Sequence, residues 1–143
     1  MPDDSASMPH SGVHVTRNED IARDDQYEPT MEHRFGIGEH CGSHELNIHT
    51  AYLEPGASTR AHYHIYSDLG AFVLEGGCTV VTWDKEHKRE ERSISAGDFV
   101  YVPRGVTHKM VNKSADTRFG LVASYNNTGT GEGSGKFHVE DKL

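Results

Sequence analysis

Two histidines one residue apart, His62 and His64 in "PGASTRAHYHIYSDLGAFVLEG", are the side chains of this sequence best placed to do chemistry. Along a β-strand, successive side chains alternate faces and the backbone advances about 3.3 Å per residue. The two imidazoles therefore point the same way, from backbones about 7 Å apart. Rings on that spacing can converge on one cation, since zinc–nitrogen bonds run to ~2.0–2.1 Å. Two ligands make a weak site, so a third must come from elsewhere in the chain. His108 is the candidate. It closes the run "GDFVYVPRGVTH", where a glycine turn, an apolar strand and a Pro103-Arg104-Gly105 turn precede it. Pro103 presets one backbone angle and Gly105 permits a tight reversal, so His108 opens a returning strand. A barrel closed between the two segments sets His108 opposite His62 and His64. The plainer reading of His-x-His is a pair of satisfied polar residues in a half-buried sheet.

The elements that must carry these residues are strands. "ELNIHTAYLEPG" places Leu46, Ile48, Thr50 and Tyr52 on one face and turns at Pro55-Gly56. "GAFVLEGGCTVVTW" reads as two strands interrupted by Gly76-Gly77, and "DKEHKREER" as a solvated hairpin loop with no apolar face. "SISAGDFVYVPRGVTHKMVN" gives turn, strand, turn and strand, and "TRFGLVASYN" a last strand. No segment offers twelve residues with a helical stripe. Many short strands between Gly/Pro turns imply an all-β sandwich or barrel. Residues 1–30 lack periodicity and are rich in Asp, Ser and Pro, which reads as a flexible acidic arm. Residues 31–125 form the barrel domain, and the glycine-rich residues 126–143 a mobile tail.

Composition narrows the function. A chain of 143 residues supports one domain. The formal charge is -8, and residues 1–30 alone hold seven acidic residues against Arg17 and Arg23, so no basic footprint for nucleic acid exists. No apolar run approaches the length of a membrane span, and the first twenty residues carry no secretory pattern. Cys41 and Cys78 are too few for a disulfide framework. A cytoplasmic protein with a small-molecule substrate, and neither nucleic acid nor membrane as partner, is the expectation.

The sequence resembles a single-domain cupin. In that family the first motif is Gly, five residues, His-x-His, three or four residues, Glu, then about six residues to Gly. Gly56, His62, His64 and Gly76 match it. The second motif is Gly, five residues, Pro-x-Gly, two residues, His, three residues, Asn. Gly97, Pro103, Gly105, His108 and Asn112 match every position. The resemblance covers roughly residues 45 to 125 and implies a double-stranded β-helix, the cupin jelly-roll barrel, often dimeric. It also implies one divalent transition metal on His62, His64 and His108, with Fe(II) favoured and Zn, Ni, Mn or Cu as alternatives. One departure stands out. The glutamate of the first motif falls on Asp68 at one spacing and on Leu69 at the other. Leucine cannot bind metal, and Asp68 reaches the site only if a bulge turns it inward. Three histidines, with Asp68 as an alternative fourth ligand, is the expected donor set. Three-His cupins resemble thiol, gentisate or diketone dioxygenases, so a mononuclear non-haem iron dioxygenase acting on a small organic substrate is expected. An isomerase or lyase that does not use O₂, and a non-catalytic small-molecule-binding cupin, are the alternatives.

Other residues carry weaker signals. Arg60 shares the alternation of His62 and His64, and its guanidinium suits a substrate carboxylate. Tyr66 lies on the histidine face only if the strand extends that far. His49 falls opposite Leu46 and Ile48, where it can line the barrel or sit as a satisfied sheet residue. "EHCGSHE" offers His40, Cys41 and His44 but no second pair at zinc-finger spacing, so a polar loop is expected. His33 and His87 default to the surface. Phe72, Val73, Leu74, Phe99, Val100, Tyr101 and Val102 are taken as core, interface or pocket lining. The glycines at 129–135 lack the Ser or Thr and the strand-to-helix context of a phosphate loop, and no Gly-x-Ser-x-Gly elbow is present.

Overall fold

The computed structural model describes residues 12–24 and 26–139. Ten strands run in chain order as β1 (Glu32–Ile37), β2 (Ile48–Leu53), β3 (His62–His64), β4 (Leu69–Glu75), β5 (Gly77–Trp83), β6 (Arg89–Ser95), β7 (Phe99–Val102), β8 (Thr107–Val111), β9 (Phe119–Tyr125) and β10 (Lys136–His138). They form two antiparallel five-stranded sheets, ordered β1-β2-β9-β4-β7 and β10-β3-β8-β5-β6. No α-helix occurs among the described residues, only three single-turn 3₁₀ segments. The architecture is the all-β jelly-roll barrel that the strand pattern implies.

Alternation sets what the barrel buries. In β2 it is strict: His49, Ala51 and Leu53 are buried while Ile48, Thr50 and Tyr52 are half-covered. The face shared by Leu46, Ile48, Thr50 and Tyr52 is thus the outer one, and Leu46 is exposed. Tyr52 gains cover there from the Arg118 guanidinium, 4.1 Å above its ring. Between the sheets, Leu53, Val73, Val80, Met110, Phe119 and Leu121 form one apolar core. Phe99 and Tyr101 do not belong to it, since β7 is an edge strand and both side chains face outward, 84% and 67% exposed. The charged run after Trp83 divides. Asp84 accepts the backbone N–H groups of Glu86 and Lys88 to close the turn, and Arg89 onward pairs with β5 as strand.

Both chain ends depart from the sequence expectation where they are described. Residues 1–11, residue 25 and residues 140–143, parts of the expected arm and tail, lie outside the described residues. Asp24 bridges to His33, and Tyr27, Glu28 and Met31 are buried against the barrel. The glycine-rich segment is also ordered into the fold. Gly135 holds φ 73°, which favours glycine, and a Cβ there would press on Ile65 and Tyr66. Its glycines serve close backbone approach, so β10 can add to the edge of β3 with Lys136 opposite His64 and His138 opposite His62.

Candidate metal centre

The strand pairing brings the three histidines together. β3 and β8 are neighbours, and His62 is the register partner of His108. Gly105, at φ 82°, makes the reversal before β8, and its N–H bonds to the His64 carbonyl at 2.7 Å, which ties the second motif to the first. Asn112 fixes the far end of β8, donating to the carbonyls of Leu53 and Thr117. His62, His64 and His108 are all buried, and one ring nitrogen of each lies within 4.8 Å of the others.

The other ring nitrogens decide the tautomers. His62 Nδ1 lies 2.7 Å from the Arg60 carbonyl, and His108 Nδ1 lies 2.9 Å from the Val106 carbonyl. Carbonyl oxygens only accept, so both Nδ1 atoms carry the hydrogen. His64 Nδ1 lies 2.7 Å from Ser134 Oγ, whose own hydroxyl donates to the Gly131 carbonyl at 2.7 Å. Ser134 Oγ therefore accepts from His64 as well. With every Nδ1 protonated, each Nε2 presents a lone pair. His64 Nε2 is buried with no hydrogen-bond partner, an orphan that a cation would satisfy. Burial holds the His62 imidazole far below its ordinary range and brings His64 and His108 down to about 3 and about 4. At neutral pH all three are uncharged, the form that binds metal. The donor set fits a divalent transition ion, with outer hydrogen bonds orienting each ring.

Ser134 is a residue that the sequence reading left in a mobile tail. Partners of this kind typically contribute 10–100-fold to metal affinity. Ser134→Ala is expected to weaken metal binding by roughly that factor, read by competition with a chromophoric chelator. Unchanged affinity would mean that packing alone orients His64.

Beside the histidines lies a cavity of about 40 Å³, walled in part by Glu28, His49, Leu69, Tyr125 and Lys136. Leu69 occupies the inward position at the start of β4. Asp68, the alternative fourth ligand, is turned away: its Oδ1 accepts from Arg104 N at 2.9 Å and its Oδ2 from Asn126 Nδ2 at 3.2 Å. No bulge rotates it inward, so it is not part of the histidine cluster. His49 lines the barrel, with Nδ1 on Asn47 Oδ1 at 3.2 Å and its ring against Tyr125. Tyr66 lies beyond the end of β3 and is 61% exposed, outside the cavity wall. Arg60 reaches the mouth through Glu28, with Nε 3.1 Å from its Oε1. His33, expected at the surface, is buried against Tyr27 and His49, because the strap at residues 26–31 covers β1.

The residues that sequence reasoning missed come from outside both motifs. The Tyr27 hydroxyl donates to the Tyr125 hydroxyl at 2.9 Å, and burial pushes Tyr27 up to about 12. Lys136 Nζ lies 3.1 Å from Glu28 Oε2. Glu28, His62 and His138 form a second group with ligating atoms within 4.8 Å of one another. The two-residue alternation of Lys136 and His138 was a strand signal, obscured by the glycines before it.

A family model for the cupin domain matches residues 49–123, which spans both histidine motifs and more than half of the chain. The chain belongs to the cupin family. Solved cupin structures share the fold. The polyketide cyclase RemF from Streptomyces resistomycificus aligns over 80% of each chain at 19% identity, with TM-score 0.67. An oxalate decarboxylase from Bacillus subtilis aligns over 91% of this chain and 33% of its own, at 19% identity and TM-score 0.72. A formate complex of the Lactobacillus farciminis oxalate decarboxylase aligns over 91% and 38%, at 21% identity and TM-score 0.71. This cupin spans about a third of the length of those decarboxylases. No curated protein sequence matches it. No helix among the described residues is long and apolar enough to cross a membrane.

Proposed function

We propose that this cupin is a mononuclear non-haem iron dioxygenase, holding one Fe(II) through the Nε2 atoms of His62, His64 and His108 and acting on a small organic substrate. The observation that carries the reading is the set of three buried imidazoles whose Nδ1 hydrogens are all engaged, leaving three lone pairs directed at one place. Three neutral ligands leave a divalent ion uncompensated, which favours an anionic ligand at its open positions. Held by these three histidines, a bound ion would supply a redox-active template for substrate and O₂. The chain's own work is to exclude water from the cavity, to orient the rings, and to present the Tyr125 phenol, which accepts from Tyr27, as a hydrogen-bond donor, with burial keeping both phenols protonated. Arg60 and His49 are the substrate-facing side chains of this reading, Arg60 at the mouth and His49 on the wall. The outward Phe99 and Tyr101, beside Phe72, are the face on which two copies would pair.

A redox-neutral reading has one observation in its favour: RemF, similar over 80% of both chains, is described as a cyclase. There the ion would act as a Lewis acid. The test is metal content of anaerobically purified, untagged protein, followed by O₂ uptake with thiols, diketones and phenolic acids, with mass by light scattering on the same sample. Near one iron per chain with O₂ uptake coupled to substrate loss is expected. Turnover retained with zinc and without O₂ would replace the dioxygenase by the Lewis-acid reading, and absence of stoichiometric metal would remove both.

A further inference from the structure

Glu28 is the least expected side chain at the site. It comes from the acidic segment before the first strand, yet it is 1% exposed and lines the cavity with His62 and His108. Its two oxygens are held separately, Oε1 by Arg60 Nε and Oε2 by Lys136 Nζ, both at 3.1 Å. The Lys136 side chain is 7% exposed, anchored to the Tyr27 carbonyl at 3.1 Å and over the Tyr27 ring at 4.2 Å. Arg60 stays half exposed, but desolvating the Lys136 ammonium and the Glu28 carboxylate is costly, and an apolar plug would close a barrel mouth without that cost. The arrangement has the form of a carboxylate-binding site, with one cation for each oxygen of a planar group. At about 40 Å³ the remaining cavity has room for little more than a water or two. A substrate entering the barrel must therefore displace something, and Glu28 is the wall side chain whose carboxylate already holds both cations.

We propose that Arg60 and Lys136 form a subsite for the carboxylate of a small carboxylic acid, and that Glu28 occupies this subsite in the ligand-free chain as an internal stand-in. The incoming carboxylate takes both cations and releases Glu28. The rest of the ligand then extends toward the three histidines. The inference deepens the metal-centre reading by naming the substrate class, and it rests on that reading only for the far end of the ligand. Charge supports it: with Glu28 displaced, the mouth keeps two positive groups beside neutral imidazoles, and a bound divalent ion adds to them.

The test uses metal-free full-length protein and formate as probe, so that its failure is separate from failure to bind metal. Formate affinity is measured by titration calorimetry. Glu28→Gln keeps the shape but turns an amide N–H₂ toward a cation, so the stand-in is lost. The variant is expected to bind formate roughly tenfold or more tightly than wild type, because the competing occupant is removed. Adding Lys136→Met to Glu28→Gln should abolish that gain. Unchanged formate affinity in folded Glu28→Gln would overturn the proposal and leave Glu28 as a structural clamp. Should Glu28→Gln not fold, the side-chain carboxyl carbon-13 resonance of Glu28 in wild type decides instead. It should shift as formate displaces the carboxylate from Arg60 and Lys136, and an unchanged resonance at saturating formate would overturn the proposal.

Discussion

Replacement of His108 by alanine is expected to abolish stoichiometric metal binding, while Asp68→Ala leaves it intact. His108 is 2% exposed, and its ring is held by the Val106 carbonyl so that Nε2 faces His62 and His64. Removing it leaves two imidazoles from one three-residue strand, a set that cannot enclose an ion. Among the described residues, none of the acidic groups joins the three histidines within ligating range of all of them, and the carboxylate of the other group, Glu28 with His62 and His138, is engaged by Arg60 and Lys136. Asp68 is the informative control because the family motif makes it a plausible ligand by spacing. Its oxygens are instead engaged by Arg104 and Asn126 on the outside of the barrel end. The measurement is metal per chain by mass spectrometry on both variants, with circular dichroism to confirm folding. Equal loss in the two variants would establish a His-His-Asp-His centre and would require the start of β4 to be rotated relative to this structure.

Phe119→Ala is expected to cost about 3–5 kcal/mol of stability, the largest effect of any single apolar truncation here. Phe119 is 0% exposed and opens β9, the central strand of its sheet, paired with β2 on one side and β4 on the other. Its ring contributes to the core shared by both sheets, and neighbours held in strands on two sides collapse poorly into the space left behind. Domains are typically stable by only about 5–15 kcal/mol, so the variant sits near the threshold of folding. Phe137→Ala provides the contrast. That ring stacks on Tyr63 on the outer face, is 50% exposed, and should cost about 1 kcal/mol or less. Urea unfolding midpoints read both. A Phe137 effect as large as that of Phe119 would mean that the core is not the one described.

The acidic front of the chain illustrates how far composition can mislead. Seven acidic residues and no periodicity in residues 1–30 read as a solvated arm, yet Glu28 sits at the barrel mouth and Tyr27 beneath it. Its partners, Arg60 and Lys136, lie 32 and 108 residues away. Nothing local marks a carboxylate as buried when its charge is neutralised from that distance.

The sequence alone determined β2 to β5 and β7 to β9, their turns and the three histidines, because each signal is short-range, whereas β1, β6 and β10 were not legible in it. Period-two alternation places His62 and His64 on one face, and the proline and glycine before His108 force the reversal that begins its strand. The motifs gave the barrel for the same reason, through glycines and an asparagine whose backbone roles are local. Only the tertiary structure decided which face of β2 is the inner one, since alternation defines two faces and burial chooses between them. It alone set Leu69 inward and Asp68 outward, placed Ser134 on His64, and seated Glu28 between two cations. Those contacts join segments tens of residues apart, and their free energy exists only once the two sheets have closed.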